Sequence, residues 1–353
     1  MLIHYVLHLD AINSWQLVKE IKSNAIATDK HVAASFKHTS PAGVALGTDC
    51  TQAYIKARNC DPMSSFGDFI ALSGHVTEET ANVIKQYVSD GIVAPSYDKL
   101  AIDILKHKKN GKYVILQADD SYVNKQSVEY RELYGFAISQ APNNTTFDYN
   151  DFESNICVTP KQPSKNEISD LIFASICLKY GQSNNVSLAI DGQLIGMSAG
   201  QQSRIHSTRL ACAKAKVWMY RQCSTVNDVF EKYLKPSLTK QDKVNTIIRV
   251  LEHFFGAKMS HIELRCVEKQ FKNDTVPLLD IGEVLLSENI DNFKCVMASD
   301  AFFPFRDNID CAATIGVTAI SQPGGSNRDK DIINACNDYG ISMFFHGKRM
   351  FTH

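Results

Sequence analysis

The sequence predicts an α/β protein built from two units of similar size. Short apolar runs typical of strands alternate with longer segments of helical periodicity in both halves of the chain. The 353 residues exceed the usual length of one domain, and a polar, turn-rich segment over residues 139–155 separates the halves. We therefore place a first unit at residues 1–150 and a second at residues 151–353.

In the first half, Asp10 is expected to cap a helix, whose apolar face carries Ile12, Trp15, Val18 and Ile21. Helical spacing and short apolar runs predict the elements that follow. They are, in order, a strand over 31–36, a helix over 50–60, a strand over 67–72, helices over 77–88 and 100–106, and a strand over 112–117.

The second half repeats this alternation. Asp191-Gly192 lies between two apolar runs and is the strongest short-range signal for a hairpin. A charged segment over residues 225–295 has helical patterns throughout, and we interpret it as a helical insert. The predicted elements are a helix over 168–179, strands over 186–190 and 193–197, a helix over 202–221, the insert, a strand over 317–321, a helix over 330–339 and a strand over 341–345.

Composition excludes several classes of protein. Lys plus Arg number 37 against 38 Asp plus Glu, so the chain lacks the basic excess of a nucleic-acid-binding protein. The ten cysteines include no CxxC pair, which favours reduced thiols over a zinc ribbon. The opening MLIHYVLHL lacks the features of a signal peptide, and no apolar run approaches the roughly 20 residues of a membrane span. We expect a cytoplasmic protein that binds neither nucleic acid nor membrane.

The stretch SFKHTSPAG places two basic side chains where an apolar strand ends. Ligands bind at the carboxyl ends of strands in many α/β proteins. Histidine transfers protons near neutral pH, and lysine stabilises developing negative charge. Lys37-His38 is therefore a candidate for acid–base chemistry, aimed by a turn that Pro41 and Gly43 would form. A plain polar loop is the alternative, and spacing alone favours it.

Two further segments of the first half are weaker candidates. Phe66-Gly67 stands at the entry to a strand, where glycine suits either a close approach of a ligand to the backbone or a bulge. Asp90-Gly91 follows a helical pattern and by itself resembles a C-terminal cap.

In the second half, SAGQQSRIHSTR places Arg204 and Arg209 near the start of a helix, which suits an anion or polar-heterocycle site or a solvated face. In SDAFFPFRDN, proline interrupts the aromatic residues and predicts a loop that could stack Phe302 on a heterocycle beside the carboxylate of Asp307.

PGGSNRD lacks the residues of the known phosphate-binding loops, so we interpret it as a structural turn. The final KRMFTH is expected to fray.

Together these segments resemble one family. SFKHTSPAGVALG, DPMSSFGDFIALS, VSDGIVAP, QSNNVSLAIDGQLIGMSAGQQSRIHSTRLACAKA, SDAFFPFRDNID and KRMFTH are similar, in order, to the transformylase domain of the bifunctional purine-biosynthesis enzymes. Those enzymes join an AICAR (aminoimidazole-carboxamide ribonucleotide) transformylase to an IMP cyclohydrolase. The resemblance covers nearly the whole chain and is weakest at residues 225–295.

The resemblance implies a fold, a reaction and an assembly. The fold would be two cytidine-deaminase-like α/β units without zinc, since the chain lacks the combined HxE and PCxxC signature of zinc deaminases. The reaction would move a formyl group from 10-formyltetrahydrofolate to the 5-amino group of AICAR, giving FAICAR (the formylated ribonucleotide) and tetrahydrofolate in IMP biosynthesis. The assembly would be an intertwined homodimer with active sites at the subunit interface.

The resemblance also assigns roles to residues. It implies that His38 accepts a proton, that Lys37 assists the folate nitrogen and the formyl oxygen, and that Asn184 holds the formyl oxygen or the substrate amide. Contacts to the substrate are implied for Phe66, Gly67, Asp90, Arg204, Phe302 and Arg349, the last with the phosphate, and contact to the folate for Asp307. His353 matches the last residue of the family pattern, and Asp300 matches an aspartate at a structural potassium site.

Departures from the family pattern leave a second hypothesis open. We expect no cyclohydrolase domain here, so a separate IMP cyclohydrolase would be needed, and the family's amino-terminal RYGxNPxQ-type run is missing before the first helix. The alternative to an enzyme is a truncated, catalytically weak homologue that acts as a dimerisation or nucleotide- and folate-binding module.

Overall fold

A computed structural model describes residues 2–122, 128–153, 156–290 and 293–352. The first half alternates helices and strands and ends in a separate hairpin. Its elements are α1 (Leu2–Ser23), β1 (His31–Lys37), β2 (Ser40–Gly47), α2 (Cys50–Cys60), β3 (Asp68–Leu72), α3 (Glu78–Lys85), β4 (Ser89–Ala94), α4 (Lys99–Leu105), β5 (Val114–Gln117), β6 (Glu129–Leu133) and β7 (Phe136–Gln140).

The second half has the same alternation, interrupted by four consecutive helices among the described residues. Its elements are α5 (Lys165–Leu178), β8 (Val186–Ile190), β9 (Gln193–Ser198), α6 (Arg204–Gln222), α7 (Ser224–Tyr233), α8 (Lys240–Phe254), α9 (His261–Glu268), α10 (Leu278–Ser287), β10 (Cys295–Ser299), α11 (Asp307–Ala313), β11 (Val317–Gln322), α12 (Asp329–Tyr339) and β12 (Ser342–Phe345). Helices α7 to α10 occupy the segment predicted as a helical insert.

Ten of the described strands form one sheet, in the order β12-β11-β10-β8-β9-β2-β1-β3-β4-β5. Each half contributes an antiparallel hairpin, a third strand antiparallel to the first strand of that hairpin, and two more strands parallel to the third. The halves join where β2 and β9 pair antiparallel at Ala45 and Gln193. They are therefore related by an approximate two-fold axis perpendicular to the sheet. The mixed α/β fold class is confirmed, whereas the boundary at residue 150 stays a prediction.

Helices α1 and α5 lie beside each other on one face of the sheet, and α2 and α6 cover the other face. Alternation along β1 shows the two faces, since Val32, Ala34 and Phe36 pack toward α1 and Ala33 packs toward α2. The core beneath α1 and α5 is shared by both halves and extends from Ala11 to Met350.

The predicted start of the first helix is wrong. Helix α1 begins at Leu2, so Asp10 lies inside the helix instead of at its N-cap, and Asp10 is only 4 % exposed. Val18 and Ile21 are buried as expected, but Ile12 is exposed. The apolar residues before Asp10 continue the helical pattern, and a buried aspartate inside a helix resembles a cap when only the sequence is considered.

The turn predicted from SPAG is also wrong, because Ser40 to Gly43 already belong to β2. The chain reverses at His38-Thr39, and Lys37 pairs with Ser40 across the turn. Pro41 lies opposite Phe36 next to a β-bulge, which accommodates the missing amide hydrogen of proline. Gly43 is needed for close packing, since a Cβ there would lie 1.9 Å from the carbonyl oxygen of Ala57.

The pattern over Ser89–Ala94 was not predicted as a strand. Asp90-Gly91 lies within β4 and is not a helix cap. Glycine is needed at position 91 because the ring of Phe69 packs directly against its backbone. Strand β10 and the hairpin β6–β7 were not predicted either. The hairpin of residues 186–197 and the helix at Cys50–Cys60 are confirmed.

Candidate active site

The turn between β1 and β2 presents His38 at one edge of the sheet. His38 and Thr39 have φ angles of 54° and 61°, the left-handed values that a two-residue hairpin turn of type I′ requires at both central positions. His38 is exposed to solvent. The predicted strand end is thus a tight turn that holds the imidazole outside the core.

Lys37 is directed to the segment that precedes β3. Its Nζ atom donates a hydrogen bond to the carbonyl oxygen of Phe66 at 2.7 Å. Phe66 is 43 % exposed and Gly67 has a φ of 77°, which glycine adopts without strain. The structure therefore brings the predicted residues Lys37, His38, Phe66 and Gly67 together.

A buried ion pair lies beneath this group. The carboxylate of Asp68, which has no exposed surface, accepts hydrogen bonds from Arg58 at 3.2 Å and from the hydroxyl of Ser35 at 2.5 Å. Arg58 also donates to the carbonyl oxygen of Ser65 at 2.7 Å. Burial raises the pKa of Asp68 to about 6, although the guanidinium of Arg58 acts in the opposite direction. This network fixes the segment that receives Lys37, and no local sequence pattern marks it.

Asp90 lies at the start of β4, on the same edge of the sheet as Lys37. Its carboxylate forms an ion pair with Lys109 at 2.6 Å. A cavity of about 290 Å³ adjoins it, with Ser89, Tyr87 and Lys108 in its lining. The predicted contact residue is thus paired with a lysine that lines this cavity.

A second group forms around the start of β8 and the end of β10. Arg204, the first residue of α6, is buried and donates hydrogen bonds to Asn184 Oδ1 at 2.7 Å and to the carbonyl oxygen of Asn185 at 3.0 Å. Its guanidinium also pairs with the buried carboxylate of Asp300. Asn184 donates in turn to the carbonyl oxygen of Gln201 at 2.8 Å. Arg204 therefore fixes the orientation of the Asn184 amide.

The carboxyl-terminal segment packs against this second group. The amide of Met350 donates to the carbonyl oxygen of Asp300 at 3.0 Å, and Met350 is fully buried. Arg349 lies over the ring of Phe302, 5.7 Å from its centroid. The expectation of a frayed end is wrong for residues 348–352, because backbone hydrogen bonds and burial hold them. His353 lies outside the described residues.

Asp307 is the first residue of α11 and does not lie in the loop predicted for it. Its Oδ1 atom accepts a hydrogen bond from Asn308 at 2.9 Å, and Asn308 is joined to Thr208 of α6 at 2.8 Å. These contacts tie the start of α11 to the helix that carries Arg204. Phe302 remains in the loop before α11, half-buried.

Both groups lie at the same edge of the sheet but not next to each other. The antiparallel pairing of β2 with β9 puts the end of β1 on the same edge as the start of β8. Strands β2 and β9 stand between them, so three strand spacings, about 14 Å, separate Lys37 from Asn184. Within one chain Lys37 is directed to Phe66, whereas Asn184 bonds to Arg204 and Gln201, so the two groups are separate.

The carboxylate of Asp300 does not fit a potassium ion. One carboxylate oxygen accepts from the positively charged Arg204, and the other accepts from the hydroxyl of Ser183 at 2.5 Å. Both oxygens thus already bind donors, one of which would repel a cation.

The described ranges contain neither a metal-binding cluster of acidic, histidine or cysteine side chains nor a membrane-spanning helix. No group of three or more His, Cys, Asp or Glu side chains there could hold a metal ion. None of the helices described there combines the length and the apolar character that spanning a membrane requires.

Comparison with known proteins gives consistent matches. The family model described as AICARFT/IMPCHase bienzyme matches residues 3–214. Proteins named bifunctional purine biosynthesis protein PurH match with 29 % identity over 344 residues in Acetivibrio thermocellus, 30 % over 346 in Aquifex aeolicus and 30 % over 345 in Elusimicrobium minutum. Each match covers 98 % of this chain and 51 % of the relative, so the chain spans about half the length of these curated relatives.

Proposed function

The chain belongs to the AICARFT/IMPCHase bienzyme family, and from that premise we propose that it is a formyltransferase of purine biosynthesis. It transfers a formyl group from 10-formyltetrahydrofolate to the 5-amino group of AICAR. The observation that carries the proposal is the turn that presents His38 beside Lys37 at the edge of the sheet where Asn184 and Arg204 also lie.

The reaction needs a proton acceptor and a group that stabilises an oxyanion. The weakly nucleophilic amine of AICAR attacks the formyl carbon of the folate, and His38 accepts the proton that the amine loses. Lys37 and Asn184 stabilise the negative charge on the formyl oxygen of the tetrahedral intermediate. Collapse of the intermediate breaks the bond from the formyl carbon to the folate nitrogen, which takes up a proton and leaves as tetrahydrofolate.

The other predicted residues would bind the two substrates. Arg204 would contact the carboxamide of AICAR, Phe302 would lie beside its ring, and Arg349 would bind its phosphate through charge-assisted hydrogen bonds. Phe66, Gly67 and Asp90 would contact substrate and folate from the first half of the chain. Asp307 would accept hydrogen bonds from the pterin ring.

We also propose that the enzyme is a homodimer of cytidine-deaminase-like units with active sites at the subunit interface. The separation of about 14 Å between Lys37 and Asn184 supports this, since a second copy could supply one group to the other. The hairpin β6–β7 supports it as well, because an isolated hairpin is marginal in water. Its strands are exposed throughout, including Tyr130, Phe136 and Ile138, and so is Tyr134 in the turn.

The test is formation of tetrahydrofolate, followed spectroscopically with AICAR as acceptor. We expect turnover by the wild-type protein and a loss of at least about 100-fold in His38→Ala. Asp191→Ala changes the equivalent position in the other hairpin and serves as a control that keeps the activity. A folded dimer without turnover would contradict the proposed enzyme activity and favour the alternative of a binding module. Equilibrium binding of AICAR and of folate would then test that alternative.

A further inference from the structure

A buried carboxylate lies directly beneath the turn that carries His38. Asp10 is in the interior of α1, which packs on β1 and β3. Its Oδ1 atom accepts a hydrogen bond from the backbone amide of Thr39 at 2.6 Å. Burial raises the pKa of Asp10 above its usual value, while the amides of Thr39 and His38 lower it. Because burying a carboxylate costs free energy, its position under the turn requires an explanation.

The turn is unfavourable for the residues that form it. His38 and Thr39 are both left-handed, which costs a residue with a Cβ atom about 1–2 kcal/mol. Thr39 is β-branched, and a left-handed β-branched residue is a genuine outlier. Turns of this type are normally formed by Asn-Gly or Asp-Gly. A contact outside the turn must therefore favour this backbone.

The second half of the chain contains the same arrangement with a different turn. Asp170 of α5 is buried and accepts hydrogen bonds from the amides of Asp191 at 2.9 Å and Gly192 at 2.7 Å. There the residues of the turn favour the left-handed backbone on their own. Helices α1 and α5 thus place a carboxylate under each hairpin, but only the first hairpin has a turn sequence that depends on it.

We propose that Asp10 is the positioning residue for His38, an inference that rests on the proposed function. Its carboxylate holds the backbone of Thr39 left-handed, and this fixes the direction in which the imidazole leaves the sheet. Since Asp10 bonds to the backbone beneath the turn, it acts on the reaction only through His38. The contact joins residues 29 positions apart, which explains why local sequence patterns do not show it.

Asp10→Ala tests the proposal through kcat and through amide exchange. We expect kcat to fall at least about tenfold with little change in KM, because a mobile imidazole is less often in reach of the amine. The amide of Thr39 should exchange with solvent at least about tenfold faster, measured by nuclear magnetic resonance. Asp170→Ala is the matched control, which should lower stability but leave kcat unchanged.

The double variant Asp10→Ala with Thr39→Gly separates positioning from general stability. Glycine adopts the left-handed turn without support, so kcat should return to within about threefold of the wild type. If Asp10→Ala does not fold alone, recovery of folding in the double variant supports the proposal and no recovery overturns it.

Unchanged kcat and unchanged exchange in Asp10→Ala would overturn the proposal, as would a folded double variant that stays slow. If the wild-type protein transfers no formyl group, the proposed function fails separately. Exchange at Thr39 then still decides whether Asp10 holds the turn.

Discussion

The hairpins β1–β2 and β8–β9 reverse through turns with the same left-handed backbone and with an aspartate beneath each, yet their sequences are opposite in preference. Asp191-Gly192 favours its turn locally, whereas His38-Thr39 adopts the same geometry against its own preference. The turn at Asp191-Gly192 is therefore specified by its own sequence, and the turn at His38-Thr39 by a tertiary contact. Disagreement between local preference and structure is expected where function constrains the residues.

The two turns also lie at opposite edges of the sheet, because an approximate two-fold axis relates the halves. The turn at His38 therefore shares its edge with Asn184 and Arg204, while the turn at Asp191 does not. Equivalent elements thus face different surroundings, and three experiments test how far the equivalence holds.

The largest effect is expected from the buried ion pairs, one in each half. Asp68→Ala leaves the buried Arg58 without its anion. Asp300→Ala leaves the buried Arg204 without its anion. Each substitution should lower the free energy of unfolding by about 3–5 kcal/mol. Urea denaturation measures both. If only one of the two variants lost less than about 1 kcal/mol, the two ion pairs would not be equivalent. Asp103→Ala, which breaks an exposed pair with Lys106, is the control.

A smaller effect is expected when the first turn receives a favourable sequence. His38→Asn with Thr39→Gly should raise the free energy of unfolding by about 1–2 kcal/mol, since the left-handed strain is relieved. It should also lower kcat at least about 100-fold, since the proton acceptor is lost. Denaturation and tetrahydrofolate release measure the two changes. Asp191→Asn should change neither, and a destabilised double variant would refute the account of the strain.

The smallest effect concerns the pH dependence of Asp170. Burial raises the pKa of Asp170 to about 6, against the hydrogen bonds from Gly192 and Asp191. An acid with a higher pKa in the folded protein binds more protons folded than unfolded, so its contribution to stability is full below about pH 4 and falls as pH rises toward 6. Asp170→Asn should therefore gain stability relative to the wild type over this interval, on the order of 1 kcal/mol. Parallel denaturation curves at pH 4 and pH 7 measure the difference, and an unchanged difference would contradict the shift.

Elements with clear local signals were predictable from the sequence. Helix α2 and the hairpin β8–β9 follow directly from apolar spacing and from Asp-Gly. Strand β4 is not predicted, because Asp90-Gly91 resembles a helix cap in the sequence. In the structure Gly91 instead leaves room for the ring of Phe69. The turn at His38 was misplaced because Pro41 and Gly43 are stronger breakers than His-Thr, and a bulge lets β2 contain them.

The residues of the candidate site that lie at the ends of strands or helices were predictable from the sequence. Lys37-His38 could be chosen from the end of an apolar run, and Arg204 from the start of a helix. Asp10 and the pair of Arg58 with Asp68 could not be chosen, because their partners are fixed only when distant segments pack together. In the sequence Asp10 instead resembles a cap, since a polar residue before an apolar helix normally has that role.

The core beneath α1 and α5 has a consequence for how the protein is made. It joins Ala11 near one end of the chain to Met350 near the other. During synthesis α1 emerges before the segments on which it packs, and its apolar face lacks its last partners until Met350 has left the ribosome. In that interval the apolar face is open to solvent and to wrong partners. Contacts this distant in sequence also slow folding, because the chain must close long loops before it buries them.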